Sequence, residues 1–317
     1  MSSSDNLRTA KQKKDDEFYT SYGDIRDEVL LYKDQFRDKI VYCNCDSPQS
    51  QFVKFFQDNF KALGLKQLVA TGYDEQGNET FFSQENIHTD PHTGDCFKNL
   101  TLLNSADIVV TNPPFSLFRP YLKLLADSGK KFLILGSQNA LSYNDVFSLF
   151  QKDQLRLGYN SGSFSFTRPD KSVQKLGNVC WYTNLETKQP PMSLSADYPD
   201  FSTYDNYDAV EIPKVSMIPY GLKGKAGVPV TFLQKYCPKQ FRIIGKSDQL
   251  AGPVGNKSNP GRFYLNGKRL YERIVIERII DDQQRINNGS DNRYDHVKPI
   301  LGGKELSPRI INKENGS

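Results

Sequence analysis

Asn112, Pro113, Pro114 and Phe115 place a carboxamide, a carbonyl followed by a rigid proline ring, and an aromatic face within four consecutive residues. The exocyclic amine of a nucleobase is a substrate that uses all three. Its lone pair is delocalised into the ring, and it is a poor nucleophile until two acceptors hold its hydrogens and favour a more tetrahedral nitrogen. The side-chain oxygen of Asn112 and the carbonyl oxygen of Pro113 are the candidate acceptors, and Phe115 is the candidate stacking surface. The alternative for the same residues is a strand that ends in an ordinary proline turn.

The element that must position them lies just upstream. Ile108, Val109 and Val110 form a short β-branched run bounded by a turn signal, which predicts a buried parallel strand. Pro113 drives Asn112 out of the helical region, and neither proline donates a backbone hydrogen bond onward. Asn112 is therefore expected at the carboxyl end of a strand, where open α/β sheets bind ligands.

Further elements repeat the strand and helix alternation. Ile25, Val29, Tyr32 and Phe36 share one helical face, Lys39 to Cys43 reads as a first strand, and Phe52, Phe55, Phe56 and Phe60 mark a helix packed on the sheet. Leu65 to Thr71 reads as a second strand, Leu117 to Ala126 as a helix, and Lys131 to Leu135 as another buried strand. Gly162–Thr167 and Asn178–Leu185 are candidates for a closing antiparallel hairpin. This order predicts a doubly wound α/β domain with a largely parallel sheet, complete near Leu185. Beyond a polar linker at 186–199, shorter β-like runs follow at Val228–Leu233, Phe241–Gly245 and Arg273–Ile280.

The ordered set of Phe18-Tyr19-Thr20, Cys43-Asn44-Cys45-Asp46, Gly94-Asp95, Asn112-Pro113-Pro114-Phe115 and the Pro/Gly-rich stretch from Ile212 to Leu233 resembles the EcoRI-type adenine-specific (N6) DNA methyltransferase family. The resemblance implies a Rossmann-like, S-adenosylmethionine-dependent methyltransferase sheet with a C-terminal DNA-recognition region. Residues 1–17 would be a flexible basic tail, 18–185 the S-adenosylmethionine-binding catalytic domain, and 186–317 the DNA target-recognition region. It further implies catalysis by Asn112, Pro113, Pro114 and Phe115 on an adenine flipped from duplex DNA, with no metal. Phe18, Tyr19, Thr20, Asn44, Asp46 and Asp95 would hold S-adenosyl-L-methionine, and the strand end at Gly72, Tyr73 and Asp74 would meet its adenosine part. One departure stands out: no glycine lies between Lys39 and Leu63, where most relatives place glycines so that backbone can approach the cofactor.

Charge points to the same partner. The net charge is only +4, yet Pro213 to Arg278 holds 13 basic residues against Asp248, Glu272 and Glu277. Such a local excess suits a polyanion. Lys214, Lys223, Lys225, Lys246, Lys257, Arg262, Lys268 and Arg269 are the candidate DNA contacts. The five cysteines, an odd number, fit a reducing cytoplasm rather than a disulfide scaffold. His88, His92 and Cys96 have tempting spacings for zinc, but Pro91 and Gly94 spoil the helix that would align them. Residues 1–17 have no apolar core of a secretory signal, and no apolar run reaches membrane-span length. The expected protein is a cytoplasmic monomer whose partners are double-stranded DNA and a cognate restriction endonuclease acting on the same site without a stable complex. The alternatives are an RNA or protein-glutamine amino-group methyltransferase, or a catalytically inactive DNA-binding relative.

Overall fold

In the computed structural model, which describes residues 19–73, 79–84, 99–167, 172–187, 190–256, 258 and 261–279, the apolar runs of the first half become the middle of an eight-stranded sheet. Its strands are β1 (Tyr19–Thr20), β2 (Ile40–Asn44), β3 (Gln67–Tyr73), β4 (Glu79–Gln84), β5 (Ile108–Thr111), β6 (Lys131–Ser137), β7 (Arg156–Thr167) and β8 (Val173–Thr183). Their spatial order is β1-β7-β8-β6-β5-β2-β3-β4. Strands β3, β2, β5 and β6 run parallel.

The outer strands are antiparallel, so the sheet is mixed rather than largely parallel. Connection length explains the difference. Five residues separate Tyr73 from Glu79, and five separate Thr167 from Val173, whereas a parallel crossover takes about a dozen or more. Both connections can only be hairpins.

Side chains alternate across the parallel strands with the period of two that a pleated strand imposes. Val41, Cys43, Leu68, Ala70, Ile108, Val110, Leu133 and Leu135 enter one apolar cluster, and Tyr42, Val69, Val109, Phe132 and Ile134 enter another. The first face is covered by the Tyr22–Val29 and Gln51–Asp58 helices. Phe52, Phe55 and Phe56, spaced to share one side of a helix, are all buried there. Serines cap both helices: Ser21 Oγ accepts from the Asp24 amide and Ser50 Oγ from the Val53 amide. The expected Ile25, Val29, Tyr32, Phe36 face is buried as well, although the chain tightens to a 3₁₀ helix at Leu30–Gln35.

Helices Leu100–Ser105, Phe118–Ser128 and Asn144–Gln151 supply Leu102, Phe118, Tyr121 and Phe147 to the second cluster. Ile212, Ile218, Val228, Phe232, Ile274 and Ile276 join that same cluster. They come from a second sheet and the turns around it, with strands β9 (Thr203–Tyr204), β10 (Tyr207–Glu211), β11 (Lys225–Pro229), β12 (Phe241–Lys246) and β15 (Arg273–Arg278), plus a separate hairpin of β13 (Tyr264–Leu265) and β14 (Lys268–Arg269). A fully buried aliphatic or aromatic side chain contributes about 1.5–3 kcal/mol. The shared cluster therefore fixes the second sheet firmly against the first.

A buried carboxylate fixes β7. Glu28 accepts hydrogen bonds from the Tyr159 and Asn160 amides at 2.8 Å each and from the Tyr32 hydroxyl at 2.9 Å. These amides lie where the register of β7 against β8 shifts. Gly158 leaves room for the carboxylate, since a Cβ there would fall 2.2 Å from Glu28 Oε1. Burial still pushes the Glu28 pKa up, against the hydrogen bonds that lower it. Among the described residues, no helix is long and apolar enough to cross a membrane.

Candidate active site

Strand β2 sits at the point where the chain changes direction across the sheet, with β3 on one side and β5 on the other. A crevice opens at the carboxyl ends of two strands that diverge in this way. The end of β2 carries Asn44, Cys45 and Asp46, and the end of β5 carries Thr111 and Asn112. The fully buried Thr111 hydroxyl ties the two together, lying 2.7 Å from Asp46 Oδ2 and also within hydrogen-bond reach of the Asn44 carbonyl. A hydroxyl has one proton to donate. When Asn44 receives it, the second contact is satisfied by a protonated Asp46. Burial pushes the Asp46 carboxyl up to about 7, against hydrogen bonds from Thr111 and Ser50 that lower it.

The glycine-free loop achieves its close approach by other means. Cys45 takes a left-handed conformation at φ 75°, which costs on the order of 1–3 kcal/mol outside glycine. The Asp46 amide donates to the Thr71 carbonyl at 2.9 Å, drawing the loop onto β3. Gly72 supplies the space: a Cβ there would lie 2.6 Å from both the Asp46 carbonyl carbon and the Ser47 nitrogen. The glycine that the loop needs is thus on the neighbouring strand. Gly72 at the end of the expected second strand was the sequence signal, although its role toward Asp46 required the pairing of β2 with β3.

The N-terminal strand reaches the same area. Thr20 pairs with Phe166 in β7, and the Phe166 ring meets the Phe115 ring edge-on at 6.4 Å. Thr20 is buried, and its hydroxyl has no hydrogen-bond partner among the described residues. Tyr19, Thr20, Ser21, Tyr22, Gln51 and Thr167 line an open groove, with Gln51 beginning the helix that follows the Asp46 loop. Tyr19 is half exposed at 45%. Phe18 and Asp95 lie outside the described residues, as do Asp74, His88, His92 and Cys96.

The four-residue motif leaves β5 as an extended exit and then coils. Pro113 is buried, while Asn112, Pro114 and Phe115 are partly buried. Phe115 opens a 3₁₀ turn, and the Leu117 amide closes back on the Pro114 carbonyl at 2.9 Å. The Phe118 ring seats directly over Gly136 of β6, where a Cβ would come within 2.3 Å of it. That packing fixes where the helix starts, and with it the tetrapeptide.

Of the basic candidates, Lys214, Lys223, Lys225, Lys268 and Arg269 are exposed. Arg262 is half-buried, with Nη1 donating to the Gly261 carbonyl at 2.8 Å, and Lys257 lies outside the described residues. Lys246 must be withdrawn as a DNA contact. It is 1% exposed, and its ammonium is 3.0 Å from Glu272, 3.6 Å from Asp248 and hydrogen-bonded to the Ser142 carbonyl. A charge so enclosed is not available to a phosphate. Glu277 is used by Arg242, and Glu211 holds Arg273 through a two-pronged contact at 2.8–3.1 Å. The three acidic residues of the basic region therefore neutralise Lys246 and Arg242, and its exposed lysines have no carboxylate partner among the described residues.

Comparison with known proteins agrees over most of the chain. A family model described as adenine-specific methyltransferase EcoRI matches residues 6–99 and 92–294. Type II methyltransferase M.MpnI of Mycoplasma pneumoniae is 39% identical over 313 residues, covering 84% of this chain and 96% of that protein. Type II methyltransferase M.EcoRI of Escherichia coli is 35% identical over 319 residues, covering 86% and 95%. Type II methyltransferase M.MgeORF184P of Mycoplasma genitalium is 35% identical over 311 residues, covering 85% and 97%. No solved structure matches the chain.

Proposed function

The chain belongs to the EcoRI family of adenine-specific methyltransferases, and from that premise we propose that it is a site-specific DNA methyltransferase acting on N6 of an adenine flipped from the duplex. The observation that carries the proposal is the Thr111 bridge, which joins the Asn44–Asp46 loop to the strand presenting Asn112. A cofactor held by the first and a base held by the second would meet at one crevice.

S-adenosyl-L-methionine, when bound, supplies an electrophilic methyl group on a sulfonium. The residues present fit it: the buried Asp46 carboxyl, pushed up to about 7, would ionise beside a cationic ligand, the Thr20 hydroxyl is buried without a partner among the described residues, and Gly72 opens backbone space. Phe18, Tyr19, Thr20, Asn44, Asp46 and Asp95 are the residues proposed to hold it. The parallel β3-β2-β5-β6 order with helices on both faces supports a doubly wound, Rossmann-like sheet for residues 18–185. The exposed lysines without a carboxylate partner among the described residues support 186–317 as the target-recognition region, and 1–17 is proposed as a leading tail.

Extrahelical adenine costs a few kcal/mol of stacking and pairing. Phe115 offers a face for the base, while Asn112 Oδ1 and the Pro113 carbonyl accept the two N6 hydrogens. Both proposed acceptors follow directly on β5 and its proline-containing exit, which supports a site that would need little reorganisation during reaction. The extra proton on an alkylated aromatic amine is acidic enough to leave to water, so a strong general base is not required. The protein is proposed to act as a cytoplasmic monomer on double-stranded DNA, alongside a cognate restriction endonuclease with which it shares a site but no stable complex.

Labelled methyl transfer offered to duplex DNA, RNA and protein tests this. Label in N6-methyladenine of duplex DNA is expected. Label confined to RNA or protein would overturn it.

A further inference from the structure

We propose that the β13–β14 hairpin, with Tyr271 just beyond it, is the element that enters a groove of duplex DNA; this rests on the DNA methyltransferase proposal above and names the surface that meets the substrate. Two central residues, Asn266 at φ 51° and Gly267 at φ 74°, turn the chain between Leu265 and Lys268. Two left-handed residues in succession give the tight turn whose twist matches its strands.

This ribbon is unusually well anchored for its size. The Asp205 carboxylate accepts from the Asn266 amide at 3.0 Å and from the Gly267 amide at 2.8 Å. The Asn206 side chain accepts from the Tyr264 amide at 3.0 Å and donates to the Arg262 and Gly252 carbonyls at 3.1 and 3.2 Å. Phe263, fully buried, is stacked between Tyr204 at 4.4 Å and Tyr207 at 5.1 Å. Two strands of two residues each do not hold such a shape alone. Here the second sheet holds it for them.

What is anchored, however, is not used internally. Asn266, Gly267, Lys268 and Arg269 are all exposed, and Tyr271 is 89% exposed. Neither Lys268 nor Arg269 has a carboxylate partner among the described residues, and the nearby Asp205 oxygens are engaged by the turn amides rather than by either cation. The location is also suitable. Glu272, next to Tyr271, pairs with the buried Lys246, which in turn bonds the Ser142 carbonyl in the turn after β6. That turn follows the carboxyl end of β6, the strand beside β5, so these contacts tie the segment after the hairpin to the turn that leaves the carboxyl end of the sheet. A rigid two-stranded ribbon fits the major groove, cations at its tip meet phosphates or base edges, and an exposed phenol ring adds a stacking or sugar contact. Charge complementarity selects a polyanion over an apolar or basic surface, and the methyltransferase proposal on which this rests makes that polyanion duplex DNA.

The test uses the full chain and a duplex that it methylates. Binding is followed by fluorescence anisotropy from low to moderate salt for wild type, the Lys268→Ala/Arg269→Ala double variant and Tyr271→Ala, with thermal melting as a check on folding. The double variant is expected to bind at least about tenfold more weakly, and the slope of log K against log salt should fall by roughly one to two, about 0.9 for each phosphate that is no longer neutralised. Tyr271→Ala is expected to weaken binding without changing that slope. Asp205→Ala frees the turn amides and removes an anion rather than a cation, so it should weaken binding despite the lost repulsion if the anchored turn contributes. Affinity and slope equal to wild type in all three variants, with wild type still methylating DNA, would overturn the hairpin assignment and leave the methyltransferase proposal standing. A wild-type protein that neither binds nor methylates any duplex would overturn both.

Discussion

The Thr111 hydroxyl lies 2.7 Å from the Asp46 carboxylate, although the two residues are 65 positions apart in the chain. Asp46 belongs to the loop that leaves β2, and Thr111 immediately precedes Asn112. The Thr111 hydroxyl therefore links the two strand ends beyond their backbone pairing.

Replacing Thr111 by Val keeps the shape and removes the hydroxyl. Burying Asp46 and the Asn44 carbonyl without it is expected to cost about 1–3 kcal/mol of stability, read by denaturant unfolding. The misplaced Asn112 should appear as a fall in kcat larger than any rise in KM, and Thr111→Ser should restore most of it. A variant with wild-type kcat would show that the bridge does not position the asparagine.

Asp46 gives a pH signature whose sign is fixed. Its folded pKa of about 7 stands above the ordinary value of 3.8 because burial disfavours the charge. Between those values the folded state holds more protons than the unfolded one, so stability falls as pH rises from about 4 to about 7 and levels off above. Asp46→Asn should remove that part of the slope, measured as the difference between wild-type and variant unfolding curves across the window. A cationic ligand beside Asp46 should also bind wild type more tightly above pH 7 than below, a preference that the variant lacks. Parallel pH curves for the two proteins would contradict the assignment.

Lys246 separates structure from recognition. Truncating it to Ala leaves Glu272 and Asp248 without their buried partner and should cost about 3–5 kcal/mol, seen as a clear drop in melting temperature. Because its ammonium faces Ser142, Glu272 and Phe147 rather than solvent, the salt slope of DNA binding at a temperature where the variant is folded should match wild type. A slope lowered by the equivalent of one phosphate would return Lys246 to the DNA surface.

Much of the first half was legible because local signals and packing agree there. β-Branched runs at Ile40–Val41 and Ile108–Val110 are buried parallel strands, and the phenylalanine spacing from Phe52 to Phe56 is a helix face. The second half was harder to read. Its expected strand Val228–Leu233 is instead the end of β11 followed by a 3₁₀ helix at Val230–Lys235, since the apolar residues there fill the cluster shared with the large sheet rather than alternate along one strand. Lys246 looked like its neighbours because a lysine's partners Glu272 and Ser142 are distant in sequence. Gly72 serves a loop on another strand, and only the β2–β3 register brings them together. Site chemistry carried by adjacent residues is written locally; burial, ion pairing and close approach between strands are properties of the fold.

The most direct test of the role given to Asn112 is single-turnover methyl transfer by Asn112→Ala on a methylatable duplex, with duplex binding measured in parallel. Asn112 directly follows Thr111, whose hydroxyl meets Asp46, and its side-chain oxygen is proposed to accept from the amine. Loss of such a preplaced polar group costs about 10²–10³ in rate. A fall of at least that size is expected, with DNA affinity largely retained; wild-type transfer by the variant would contradict the assignment.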